Sequence, residues 1–192
     1  MRGTVAATGP GRGDPERPSG DSGAAGACDD ASMTWEDGPG VVELPDGTRV
    51  RGRGLRAGPA RQPVEWTLFL LGAAPADPGQ PHRWVRWADF RLPKDREDAR
   101  AALAEALVRA RAGERVEVVC SGGRGRTGTA IACLAQLAGL DPRQAVAWTR
   151  TRYHPRAVET PWQRRYVRRF GTDGTGGAEA QTTAPGGGTI SY

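Results

Sequence analysis

The sequence predicts an α/β fold: a mostly parallel central sheet flanked by helices, entered through an N-terminal β-hairpin. Three observations point to it. Residues 115–119, Arg-Val-Glu-Val-Val, form a short β-branched run that leads into a glycine-rich loop. After that loop Ala130, Ile131, Leu134, Ala135 and Ala138 recur at helical spacing. Upstream, residues 95–112 place Ala99, Ala102, Leu103, Ala106, Leu107 and Ala110 on one helical face. A helical crossover feeding directly into a strand implies a parallel, right-handed unit.

Taken in order, the chain of 192 residues suits one domain plus tails. Residues 1–32 are Gly, Pro, Ala and Asp with almost no large apolar side chain, and residues 171–192 are rich in Gly and Thr. Neither stretch can bury enough surface to offset its ordering entropy, so both read as disordered tails around a domain at 33–170. Val41-Val42-Glu43-Leu44 and Thr48-Arg49-Val50-Arg51 flank Pro45-Asp46-Gly47, and Asp-Gly between β-branched runs is a hairpin signal. Residues 65–72, Glu-Trp-Thr-Leu-Phe-Leu-Leu-Gly, read as a buried central strand. Residues 83–87 alternate as a second strand, and Gly113 ends the long helix. Asp141-Pro142 carries the signature of a helix start, with Asp as cap and Pro at the first position. Tyr166, Val167 and Phe170 make a final helix stripe.

Composition narrows the context. Formal charge is +5, and Lys94 is the sole lysine, so the positive charge is nearly all Arg, as a high-GC genome would produce. Such a charge permits nucleic-acid or other anionic partners without establishing either. Cysteines at 28, 120 and 133 form no Cys-x-x-Cys and no disulfide ladder, which suits a reducing cytoplasm. The first residues lack the apolar core of a signal peptide, and the run at 66–74 is too short to span a bilayer.

The chemistry concentrates in Cys120-Ser121-Gly122-Gly123-Arg124-Gly125-Arg126-Thr127-Gly128. A glycine-rich loop opening a helix turns its amides inward and adds the positive end of the helix dipole, a seat for a tetrahedral oxyanion. Ser121, Gly122, Gly123, Arg124, Gly125 and Arg126 would line that seat. Cys120 stands at its base, where amides and a helix N-terminus favour the nucleophilic thiolate. Arg126 offers a planar fork for two oxygens, and Thr127 a hydroxyl for the departing sulfur as well as a possible helix cap.

This loop resembles the signature of protein tyrosine and dual-specificity phosphatases, in the Cys-x-x-Gly-x-Gly-Arg-Thr-Gly spelling, and the Arg bias suits a bacterial member. The family usually has His before the Cys, where this chain has Val119. Trp87-Ala88-Asp89-Phe90-Arg91-Leu92-Pro93 resembles the family's acid loop, with Ala88 for its first Pro; the resemblance implies Asp89 as general acid. It also implies Gln163, just before the last helix, as the residue that orients the hydrolytic water, and a phosphorylated protein or small-molecule substrate, with no nucleic acid expected. Glu159 falls where tyrosine-specific members often carry another Gln. No metal or other cofactor is required by such a mechanism.

Residues 123–128 spell Gly-x-Gly-x-x-Gly after a strand, but no second strand ending in an acid follows. Rhodanese-type sulfur transfer uses a similar Cys loop but has no need of Asp89. Val119 and Ala88 favour a catalytically weak or inactive phosphate-binding relative.

Overall fold

In the computed structural model, residues 35–59, 62–76 and 78–171 are described; of the stretches expected to be tails, 1–32 and 171–192, all but Gly171 lies outside them. The Asp46-Gly47 turn joins β1 (Val41–Glu43) to β2 (Arg49–Gly54) as an antiparallel hairpin. Asp46 accepts the Thr48 amide at 3.0 Å and Gly47 takes φ +84°, which is why this dipeptide turns the chain. β3 (Trp66–Leu71) and β4 (His82–Arg86) follow, then α1 (Arg96–Arg111) and β5 (Val116–Cys120). The chain closes with α2 (Gly125–Leu137), α3 (Ala145–Arg152) and α4 (Pro161–Phe170).

The sheet order is β1-β2-β5-β3-β4, and every pairing except the hairpin is parallel. The mostly parallel sheet expected from the crossover pattern is therefore present. β5, the strand that ends in Cys120, runs down its middle between β2 and β3. Both faces of β5 are buried, as its β-branched composition requires.

β2 runs three residues beyond Arg51, and Gly52 and Gly54 pair with Val118 and Cys120. Those glycines are needed for space. A Cβ at Gly52 would stand 2.6 Å from the Tyr153 ring, and one at Gly54 would stand 2.7 Å from the Gly122 carbonyl carbon. Gly54→Ala is expected to cost roughly 1–3 kcal/mol by overpacking, because the clash falls on the backbone of the Cys120 loop. Thermal unfolding checks it.

On either side of Gly52, Arg51 and Arg53 clamp the fully buried Glu117 of β5. Arg51 Nη1, Arg53 Nε and Arg53 Nη2 donate at 2.9, 2.9 and 2.8 Å. A carboxylate without contact with water is tolerable only with its lone pairs filled in this way.

α1 begins where Asp95 accepts the amides of Glu97 and Asp98 and buries the expected face from Ala99 to Ala110. Two expected helix starts are corrected. Asp141 does not cap a helix: it accepts the Arg143 amide at 2.7 Å in a turn, and α3 begins at Ala145 with Gln144 before it. Thr127 does not cap α2. That helix starts two residues earlier, at Gly125, without any side-chain cap, and Thr127 lies inside its first turn.

Candidate active site

The loop between β5 and α2 folds back on its own cysteine. Gly123, at φ +71°, turns its amide onto Cys120 Sγ at 3.1 Å. A Cβ at Gly123 would lie 2.5 Å from the Gly54 nitrogen, so only glycine lets the loop rest on β2. Cys120 is 2 % exposed, yet it lines an open cavity of about 430 Å³ together with Asp89, Phe90, Ser121, Gly125 and Glu159. A larger cavity of about 650 Å³ shares Gly54, Ala57, Gly122 and Arg124 with it but does not reach Cys120.

Arg126, in the first turn of α2, is nearly fully buried and held from three sides. Its Nη1 donates to the carbonyls of Leu70 and Trp87 at 3.1 and 3.0 Å. Its Nη2 donates to Ser121 Oγ at 3.2 Å and stands 3.0 Å from Asp89 Oδ1. Nε has no partner. The guanidinium is thus aimed by the ends of β3 and β4 before any ligand arrives. These tertiary bonds, and not a capping side chain, account for the helix starting at Gly125.

Asp89 sits on the loop after β4 with its side chain 60 % exposed. An ion pair this open contributes little to stability. The next residue, Phe90, takes φ +54°, a left-handed conformation that costs a non-glycine residue about 1–2 kcal/mol. Its amide donates to Asp89 Oδ1 at 3.1 Å.

The other sequence-predicted residues divide. Gln163 is fully buried: with Thr160 it forms a reciprocal cap at the start of α4, which holds its Oε1 and leaves Nε2 unpartnered. A Cβ at Gly125 would lie 3.3 Å from that Nε2, so Gln163 faces the loop. Thr127 is fully buried and its Oγ1 has no partner. Arg124 is exposed on the rim and lines both cavities. Glu159 brings its carboxylate against Gly125, following Val158 at φ +57°. Arg150, one of the basic residues of the C-terminal quarter, holds this turn through the carbonyls of Ala157 and Val158. Cys133 is entombed in the core of α2, and burial pushes its thiol well above the ordinary range. His154 accepts the Arg156 amide in a turn.

Two residues near the site carried no sequence signal. Tyr153 donates its hydroxyl to the Gly123 carbonyl at 2.5 Å, so it braces the peptide whose amide meets Cys120. Burial, followed by the nearby Cys120 and Glu117 charges, pushes its phenol well above the usual range, which keeps it a donor. Trp162 of α4 donates its indole N–H to the Phe90 carbonyl at 2.6 Å. Only the pairing of Gly52 with a distant aromatic could have pointed to the first, and nothing local points to the second.

Among the described residues, no group of three His, Cys, Asp or Glu side chains stands together to hold a metal, and no helix is long and apolar enough to cross a membrane.

Comparison with known proteins agrees with this geometry. Residues 89–172 match the family model described as the Swiss Army Knife protein, DSP-PTPase phosphatase domain (PTP-SAK), a segment that runs from Asp89 past the end of α4. No curated protein matches the chain. Among solved structures, Tk-PTP in its active form is similar at 25% sequence identity, covering 57% of this chain and 79% of that one, with a TM-score of 0.51. Kinase associated phosphatase, with serine in place of its catalytic-site cysteine, is similar at 17% identity over 57% of this chain and 70% of that one, with a TM-score of 0.49. Residues 89–172, a little under half of the chain, are thus similar to the DSP-PTPase phosphatase domain, and the fold is similar to that of Tk-PTP.

Proposed function

We propose that this protein hydrolyses phosphomonoesters of a phosphorylated protein or small molecule through a phosphocysteine. The observation that carries the reading is a chain of contacts at one loop: Cys120, its Sγ under the Gly123 amide, shares a cavity with Asp89, and the Asp89 carboxylate stands 3.0 Å from the buried Arg126 guanidinium.

The substrate phosphoryl group sits over the amides of residues 121–126. The Nε–Nη2 edge of Arg126 takes two of its oxygens, displacing the carboxylate contact to Asp89. The Cys120 sulfur attacks phosphorus in line: the S–P bond forms, the ester P–O bond breaks, and protonated Asp89 gives its proton to the leaving oxygen. In the second half, water attacks the phosphocysteine and passes its proton to the Asp89 carboxylate. The S–P bond breaks, and phosphate and the free sulfur anion are restored. Gln163 Nε2, buried and unpartnered beside Gly125, is suited to hold that water. Thr127 Oγ1, equally unpartnered, is suited to donate to the leaving sulfur.

The acid role is the sharpest to test. Asp89→Asn is expected to lower kcat/KM for an aryl phosphate by about 10²–10³-fold and to remove the fall in rate at high pH that a protonated general acid imposes. Rates across pH 5–8 check it. An Asn variant that keeps the wild-type pH profile would remove Asp89 from the reaction. The rival reading, a binding module without turnover, rests on Val119 and Ala88. It would be favoured by an inert wild type that still binds inorganic phosphate at this loop.

A further inference from the structure

We infer that Trp162 is a positioning residue for the acid loop, and that its indole bond to the Phe90 carbonyl holds Asp89 over the reacting phosphoryl group. This rests on the phosphatase reading above but adds a residue that neither the motif nor the acid-loop resemblance includes.

The loop at 87–91 is tied down at several points. The Arg91 amide closes on the Ala88 carbonyl at 3.2 Å, and the Trp87 indole donates to the Arg91 carbonyl at 2.8 Å. Arg126 takes the Trp87 carbonyl and meets the Asp89 carboxylate. Phe90 is the weak point. Its backbone is left-handed and its ring is half exposed, so burial of its side chain does not hold that conformation. The bond from Trp162 arrives at this residue, across 72 positions of sequence.

Trp162 itself is 46 % exposed and contributes little to the core. A large apolar side chain left half in water on α4, with its only polar atom spent on the acid loop, fits a tether better than a packing residue. The tether also has a fixed anchor: one residue on, Gln163 is locked into the reciprocal cap with Thr160, so the first turn of α4 cannot drift. Backbone strain of this kind persists only when neighbours over-determine it. Without the bond, the Phe90 peptide relaxes toward ordinary φ and carries Asp89 with it.

A displaced general acid harms poor leaving groups far more than good ones, because a good leaving group departs without a proton. The test therefore compares wild type, Trp162→Phe, Asp89→Asn and the double variant on p-nitrophenyl phosphate and on phenyl phosphate, the poorer leaving group. Trp162→Phe is expected to lower kcat/KM for phenyl phosphate by about tenfold and for p-nitrophenyl phosphate by less than about threefold. In the Asp89→Asn background it is expected to change neither by more than about twofold, since a tether to an absent acid has nothing to position. The rate of Cys120 alkylation by iodoacetate, read by peptide mass, should stay at the wild-type value. Equal losses on both esters, a loss that persists in the Asp89→Asn background, slowed alkylation, or no loss at all would each overturn the inference. A wild type that hydrolyses neither ester would instead remove the phosphatase reading beneath it.

Discussion

In Cys120→Ser, turnover of p-nitrophenyl phosphate is expected to fall by about 10⁴-fold or more, to the level of a blank, while inorganic phosphate still binds. The substitution changes one atom at the bottom of the cradle. The hydroxyl fits where the sulfur does, since Cys120 lies against the Gly123 amide and no side chain need move. What is lost is the sulfur nucleophile of the proposed reaction, and no other described thiol can replace it: Cys133 is buried in the core and held neutral by that burial. Phosphate binding, followed by calorimetry, is retained because amides and Arg126 supply it. Turnover surviving in the serine variant would place the chemistry elsewhere.

Arg126→Lys is the second large effect. Charge is conserved, so a purely coulombic role would leave the rate nearly intact. The four bonds to Leu70, Trp87, Ser121 and Asp89 are instead made by a planar fork, and an ammonium cannot reproduce them from one position. A loss of about 10³-fold in kcat/KM is expected, in the range that guanidinium groups contribute to phosphoryl transfer. The same change strands two buried carbonyls, so unfolding should shift by roughly 1–3 kcal/mol. Measuring both separates the roles: a stability loss with the rate preserved would make Arg126 a structural strut only.

How far the sequence could be read depended on whether the relevant physics was local. The Asp46-Gly47 hairpin, the α1 face and the strand-loop-helix order around Cys120 are written in runs of adjacent residues, and the fold has all three. Helix starts were less legible. Thr127 and Asp141 carry cap chemistry, yet α2 begins at Gly125 because Arg126 is caught by carbonyls of β3 and of the loop after β4, and Asp141 spends its carboxylate on a turn. The extension of β2 through Gly54 was hidden because two glycines weaken any strand pattern, and here they clear space for Tyr153 and the Cys120 loop. Gln163 was visible as a residue at a position, but its burial was not. A glutamine three places after a threonine signals a reciprocal cap and says nothing of what packs above it. Tyr153 and Trp162 act through backbone groups far away in sequence, which no window of neighbouring residues can display.

The placement of β5 between β2 and β3 bears on how this protein can be cut. The stretch that the family model matches starts at Asp89, after both of those neighbours. A fragment beginning there would keep Cys120 yet expose the main-chain donors and acceptors of β5 along both of its sides, inviting self-association. It would also lack the Leu70 acceptor for Arg126 and the Gly54 ledge beneath Gly123. Residues 89–172 thus carry the likeness to the phosphatase domain without the strands that flank β5, and a unit that folds has to reach back through β3 to β2.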